Sequence, residues 1–172
     1  LPANAAGVEG STANAFPWGY TGTAWPGLRI QAFYDTFNLT SQGVNNPILI
    51  PGIRWRCNGN TAPSGGTHGV ATVALASAAV DYSVITTNYL TNQNPDYTIV
   101  YSGAVTVTPA QASTPGAWYV DVQFPGSPFL YDPTLGNDLI IDTDSVLGNW
   151  SGGGSATQDI AGAGSMSSRV YS

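Results

Sequence analysis

Between Pro128 and Asp144 the chain packs an aromatic run, a corner, a turn and an apolar strand into one short stretch. Pro128 and Pro133 fix φ and offer no backbone donor, and Gly136-Asn137 supplies a turn that tolerates positive φ. From Asp138 to Asp142 the chain resumes as a strand. A strand-turn-strand corner with one buried side commits the chain to an all-β domain. Its last core strand is expected at Leu139-Ile140-Ile141.

The same grammar recurs upstream. Leu28 to Asp35 carries β-formers in imperfect alternation, and in Ile53-Arg54-Trp55-Arg56-Cys57 the apolar residues share one face while the arginines share the other. Pro51 confines the residues before it to an edge or a bulge. Val70 to Ser77, Tyr97 to Tyr101, Gly103 to Thr108 and Trp118 to Phe124 are further runs bounded by Gly, Pro or Asn. Asn58 to Gly69 reads as a loop, and Asp81 to Leu90, with Tyr82, Val84, Ile85 and Tyr89 near a period of three to four, reads as a short helix. Roughly seven or eight strands separated by about eight to twelve residues predict a single antiparallel β-sandwich of jelly-roll type. The expected boundaries are an extended segment at 1–27, the sandwich at 28–147, and a Gly/Ser-rich segment at 148–172 whose composition is that of a flexible linker.

Charge narrows the function. Only 8% of the 172 residues are charged and the net charge is −6. There is no lysine, so nucleic acid and anionic membranes, both of which recruit clustered cations, are excluded as partners. No apolar run is long enough for a membrane span. A surface covered by Ser, Thr, Asn, Gln, Gly and Tyr suits contact with sugar or with further copies of the chain, because little charge must be desolvated. The single cysteine, Cys57, rules out an intrachain disulfide and reads as a small buried residue. The opening residues resemble a mature terminus left after removal of an export signal.

Candidate chemistry is sparse. His68 is the only histidine, it lacks a nucleophile elbow around it, and a solvent-exposed loop position is expected. A glycan hydrolase needs two carboxylates at a defined separation, and no spacing among Glu9 and the aspartates singles out a pair. No catalytic residue is therefore assigned and no enzyme activity is expected. Asp132, Asp138, Asp142 and Asp144 crowd one corner and are the candidate ligands for calcium, which takes oxygen donors; solvated turn aspartates are the plainer alternative. The five tryptophans and nine tyrosines could furnish a sugar-stacking face. Two sequons, at Asn38 and Asn149, would matter in a glycosylating host.

A family likeness follows from the stretches Glu9-Gly10-Ser11 through Trp18-Gly19, Arg29 to Asp35, Ile50 to Arg56, Val100 to Gly103, Phe129 to Pro133 and Gly136 to Asp142. In this order they resemble the secreted β-domain of bacterial extracellular proteins that often end in a PEP-CTERM sorting signal. The likeness spans most of residues 9 to 144 and implies export and a β-sandwich. It implies no activity and no catalytic residue. The sequence departs from the pattern in lacking the Pro-Glu-Pro motif, apolar helix and basic end; the expected location is extracellular, at the cell surface or in a matrix.

The combined reading is an extracellular structural subunit of a fibre, sheath or matrix. Its segments 1–27 and 148–172 would pair with or pack on neighbouring copies, with Phe16, Trp18, Tyr20, Trp25 and Trp150 as aromatic contacts. The alternative is a carbohydrate-binding module.

Overall fold

The computed structural model describes residues 7–10, 12–14, 16–18, 27–59, 62–146, 150–153, 158–160 and 166–172. The described chain forms twelve strands: β1 (Thr12–Asn14), β2 (Leu28–Tyr34), β3 (Ile48–Ile50), β4 (Gly52–Arg56), β5 (Gly66–Ser77), β6 (Thr98–Val107), β7 (Trp118–Gln123), β8 (Phe129–Tyr131), β9 (Leu139–Ser145), β10 (Trp150–Gly152), β11 (Gln158–Ile160) and β12 (Ser167–Tyr171). The predicted runs thus fall on strands, except that Tyr97–Tyr101 and Gly103–Thr108, read as two, join in the single strand β6, and the class is all-β.

The main sheet is antiparallel, in the order β12-β2-β9-β5-β6-β7-β4, with β10 added beside the first residues of β5. Register shifts lie between His68 and Ala71 and between Val73 and Ala74 on β5, and between Trp55 and Arg56 on β4. Each such bulge bends a strand and increases its twist, and the sheet curls. Inside the curl β5 and β9 contribute Val73, Leu75, Leu139 and Ile141, β6 and β7 add Val105, Val107, Val120 and Val122, and Tyr34 at the end of β2 packs beside them. The ribbon β3–β8 closes this core with Phe129 and Tyr131, and Ile48 and Ile50 pack beside them. Pro51 is the point where the chain leaves the ribbon for the sheet, its carbonyl accepting from Phe124 N–H at 2.9 Å. A residue without a backbone donor suits a change of ladder partner.

The opposite face of the sheet carries Phe33, Ala76, Ile140 and Val170 under a cover made by residues 79–97. This cover holds a single 3-10 turn, Tyr82–Val84, and one helical turn, α2 (Tyr89–Asn92), rather than a continuous helix. Asp81 accepts from Ser83 N–H and Asn88 from Leu90 N–H, so each cap starts its own turn and the helix is divided. The tyrosine spacing that predicted a helix instead marks the residues that pack down: Tyr82, Ile85 and Tyr89. A further helical turn, α1 (Phe37–Thr40), follows β2.

Two boundaries differ from expectation. The main sheet does not end near residue 147, because β12 pairs with β2 from Ser167↔Tyr34 to Tyr171↔Ile30. And β5 begins at Gly66, inside the predicted loop, because Gly66 is clearance: a Cβ there would meet the Trp150 ring at 2.3 Å. His68 is therefore a strand residue and 5% exposed. Among the described residues no helix is long and apolar enough to cross a membrane.

Candidate functional site

Five aromatic contacts were expected toward neighbouring copies. Trp18 instead lies in the chain's own core at 0% exposure, edge-on to Trp55 with ring centres 5.2 Å apart. Its ring is packed within the chain's own core, so it is not an intermolecular contact. Phe16 lies against Tyr171 of β12, with ring centres at 5.4 Å. Trp150 lies on His68 at 4.8 Å. Tyr20 and Trp25 fall outside the described residues.

His68 sits between Trp18 and Trp150, and its Nε2 is 3.1 Å from the Trp18 carbonyl oxygen. With the proton on Nε2 the neutral ring donates to that carbonyl. Burial is the main influence on the imidazole and lowers its pKa, against a smaller upward push from this hydrogen bond. The unfolded chain thus binds the proton more readily than the fold, and stability falls as pH drops below the unfolded value of 6.5. Urea midpoints measured between pH 7.5 and 5 should decline for the native chain. In His68→Leu this component should vanish; an unchanged slope would place the titrating group elsewhere.

The four carboxylates proposed for calcium are not gathered. Asp132 accepts from Thr134 N–H at 2.9 Å and from its hydroxyl at 2.7 Å, capping the turn Pro133–Leu135. Asp142 is held by Arg29 and Gln31, and Asp144 lies two pairs along the β2–β9 ladder, opposite Arg29. Burial is the first cause of the raised Asp144 pKa, with Arg29 opposing it. Among the described residues the carboxylates that do meet are Asp35, Asp81 and Asp138, with one oxygen of each within 4.8 Å of the others. Asp35 accepts from Phe37 N–H at 2.6 Å and Asp138 from Tyr82 N–H at 2.7 Å. Burial, reinforced by the charges of Asp35 and Asp81, pushes Asp138 upward. Only Asp138 belonged to the predicted set. Its partners arrive from the end of β2 and from the cover, and nothing local in the sequence announces that meeting.

A connected polar network lies between the sheet and its cover. Arg29 Nη2 donates to Asp142 Oδ2 at 2.7 Å and Arg29 Nε to Oδ1 at 3.1 Å, a bidentate pair. Gln31 Nε2 donates to the same carboxylate at 3.0 Å, while Asn92 Nδ2 donates to Gln31 Oε1 at 3.3 Å. Arg29 also rests over the Tyr89 ring, 4.5 Å from its centre. The network fastens the cover to β2 and β9. It offers no nucleophile beside a base.

The edges of the sheet are its other functional resource. β12 is the outermost described strand on one side and β4 on the other. Within β12 only Val170 is buried, while backbone bonds at 3.1 Å join Ser172 and Arg29 in both directions. The sequon at Asn38 is not available on the folded surface: its side chain is buried and Nδ2 donates to Met166 O at 2.9 Å. Asn149 lies outside the described residues.

Comparisons with protein families, with curated proteins and with solved structures gave no match, so geometry alone carries the functional argument.

Proposed function

We propose that the protein is a self-associating extracellular structural subunit in which β12 of one copy pairs with the β2 edge of another. The observation that carries this reading is the shallow seating of β12, a five-residue edge strand with one buried side chain, Val170. Residues 161–165, Ala-Gly-Ala-Gly-Ser, precede it in the sequence. Backbone pairing supplies the affinity in strand addition, and the receiving ladder on β2 is the same whichever copy supplies the strand. Donor strand and acceptor edge are different surfaces, so one-way exchange propagates from copy to copy, and reciprocal exchange closes a dimer. The low surface charge favours such contact, since few ions need be stripped of water. Export rests on the likeness to secreted β-domains.

Sedimentation and negative-stain microscopy from low to high micromolar concentration test the proposal. The native chain should show growing species, and Val170→Asp, which places a charge where β12 meets the sheet, should shift them strongly toward monomer. A folded monomer at every concentration for the native chain would overturn the reading.

A further inference from the structure

At the far side of the sheet from β12, Trp118 stands at the start of β7 with its side chain 59% exposed. Trp18, Trp55 and Trp150 are buried or half-buried. A single exposed apolar side chain is ordinary on a folded surface, so what marks this ring is the set of polar groups around it. Its setting is specific. The β4–β7 register opposes Arg54 to Asp121, Arg56 to Trp118 and Gly52 to Gln123. Val120 and Val122 point into the core, while Asp121 and Gln123 face outward with the indole. The Arg54 guanidinium lies over the Trp118 ring, 5.5 Å from its centre, and Gln123 Nε2 donates to Asp121 Oδ1. Arg54 thereby fixes the ring's attitude from one side and leaves it broadly open to solvent, which reduces the ordering cost of binding.

We infer that Trp118, Arg54, Asp121 and Gln123 form a binding platform for a neutral polysaccharide of gluco-configured pyranose units. Such a sugar presents a flat face of axial C–H groups, which the electron-rich indole face attracts, and a rim of equatorial hydroxyls that both donate and accept. A guanidinium, a carboxylate and an amide beside one ring provide both functions. A protein partner would ask for a wider apolar centre than a single ring within polar side chains. An acidic glycan is disfavoured because Asp121 flanks the ring and the chain as a whole carries −6. The platform does not depend on strand exchange. If copies do join through β12, the opposite side of each sheet stays free, and repeated platforms would bind one polymer with avidity.

The test is affinity electrophoresis of the full chain in gels containing hydroxyethylcellulose, mixed-linkage β-glucan, polygalacturonate or no polymer. Retardation by at least one neutral glucan, absent with polygalacturonate, is expected. Trp118→Ala should weaken binding roughly 30-fold or more, the loss typical of a central aromatic. Trp118→Tyr should retain part of it, and Leu130→Ala, on the β3–β8 ribbon, all of it. Trp118 is exposed, so the variant should keep the native urea midpoint, and that midpoint is the check on folding. No retardation by either glucan, retardation only by polygalacturonate, or retardation unchanged in Trp118→Ala would each overturn the inference. So would sedimentation showing that Trp118→Ala disrupts association while leaving retardation intact.

Discussion

Gly116→Ala should prevent the chain from reaching its native fold, or destabilise it by more than about 3 kcal/mol, beyond the ordinary cost of overpacking. Gly116 lies just before β7, where a Cβ would sit 1.7 Å from the Cys57 carbonyl oxygen and 3.1 Å from the Gly59 nitrogen. Both obstacles are backbone, so no rotamer change relieves them. The approach is fixed from two sides. Cys57 N–H donates to Ala117 O at 2.9 Å, and Gly116 N–H donates to Glu9 Oε2 at 2.9 Å. Glu9, the only glutamate in the chain, also accepts from Gly59 N–H and so ties both loops together. Gly126→Ala is the matched control, because a Cβ there meets nothing within 4 Å. It should change the urea midpoint by less than about 0.5 kcal/mol equivalent. Equal, small effects at both positions would show that the loop carrying Cys57 and the loop carrying Gly116 do not approach as described.

Asp142→Ala is the second large effect. The carboxylate is 2% exposed and takes three donated hydrogen bonds, two from Arg29 and one from Gln31. Removing it strips the Arg29 guanidinium of its bidentate partner and takes one acceptor from the Gln31 amide. Breaking a buried pair costs about 3–5 kcal/mol, and the partial exposure of Arg29 places the expected loss near the lower end, about 3 kcal/mol. For a chain of this length that corresponds to roughly 6–12 °C in Tm. Asp142→Asn should be nearly as damaging, since its amide turns donors toward donors. The cover should loosen first, because Gln31 also donates to Tyr89 O at 3.3 Å and to Gln93 Oε1 at 3.1 Å. Hydrogen exchange should therefore accelerate across residues 78–94 more than in β6 or β7. A uniform acceleration, or a loss under 1 kcal/mol, would contradict the latch.

What the sequence discloses here depends on whether a residue's role is local. Alternation places β2, β5, β6, β7 and β9, and the Pro51 rule correctly marks a change of pairing. The Pro128–Asp144 corner folds as read, with Gly136 at φ 78° ending the turn after Pro133. The failures share a cause. Gly65 and Gly66 look like loop residues, yet the second is a strand residue kept bare for a ring about 84 positions away in sequence. Strict alternation would put Trp118 on the same face as Val120, but the register shift between Trp55 and Arg56 turns it outward. Asp35 and Asp81 meet Asp138 only through the sheet and its cover. The second half of the 148–172 segment looks like linker because an edge strand needs backbone partners rather than apolar side chains, and β12 buries only Val170. A partner distant in sequence leaves no periodic trace.

The central claim is that β12 passes between copies, and disulfide trapping tests it most directly. Ala32 and Arg169 are direct cross-strand partners on β2 and β12. A chain carrying Ala32→Cys and Arg169→Cys, with the buried Cys57 replaced by alanine, holds one designed pair at a separation antiparallel neighbours allow. It would be concentrated under reducing conditions, oxidised, and run on a denaturing gel without reductant. Exchange predicts a ladder of covalent dimers and higher species that collapses to monomer on reduction and fades when oxidation is done at high dilution. Oxidation to intrachain-bonded monomer alone, at concentrations where the native chain forms larger species, would contradict it.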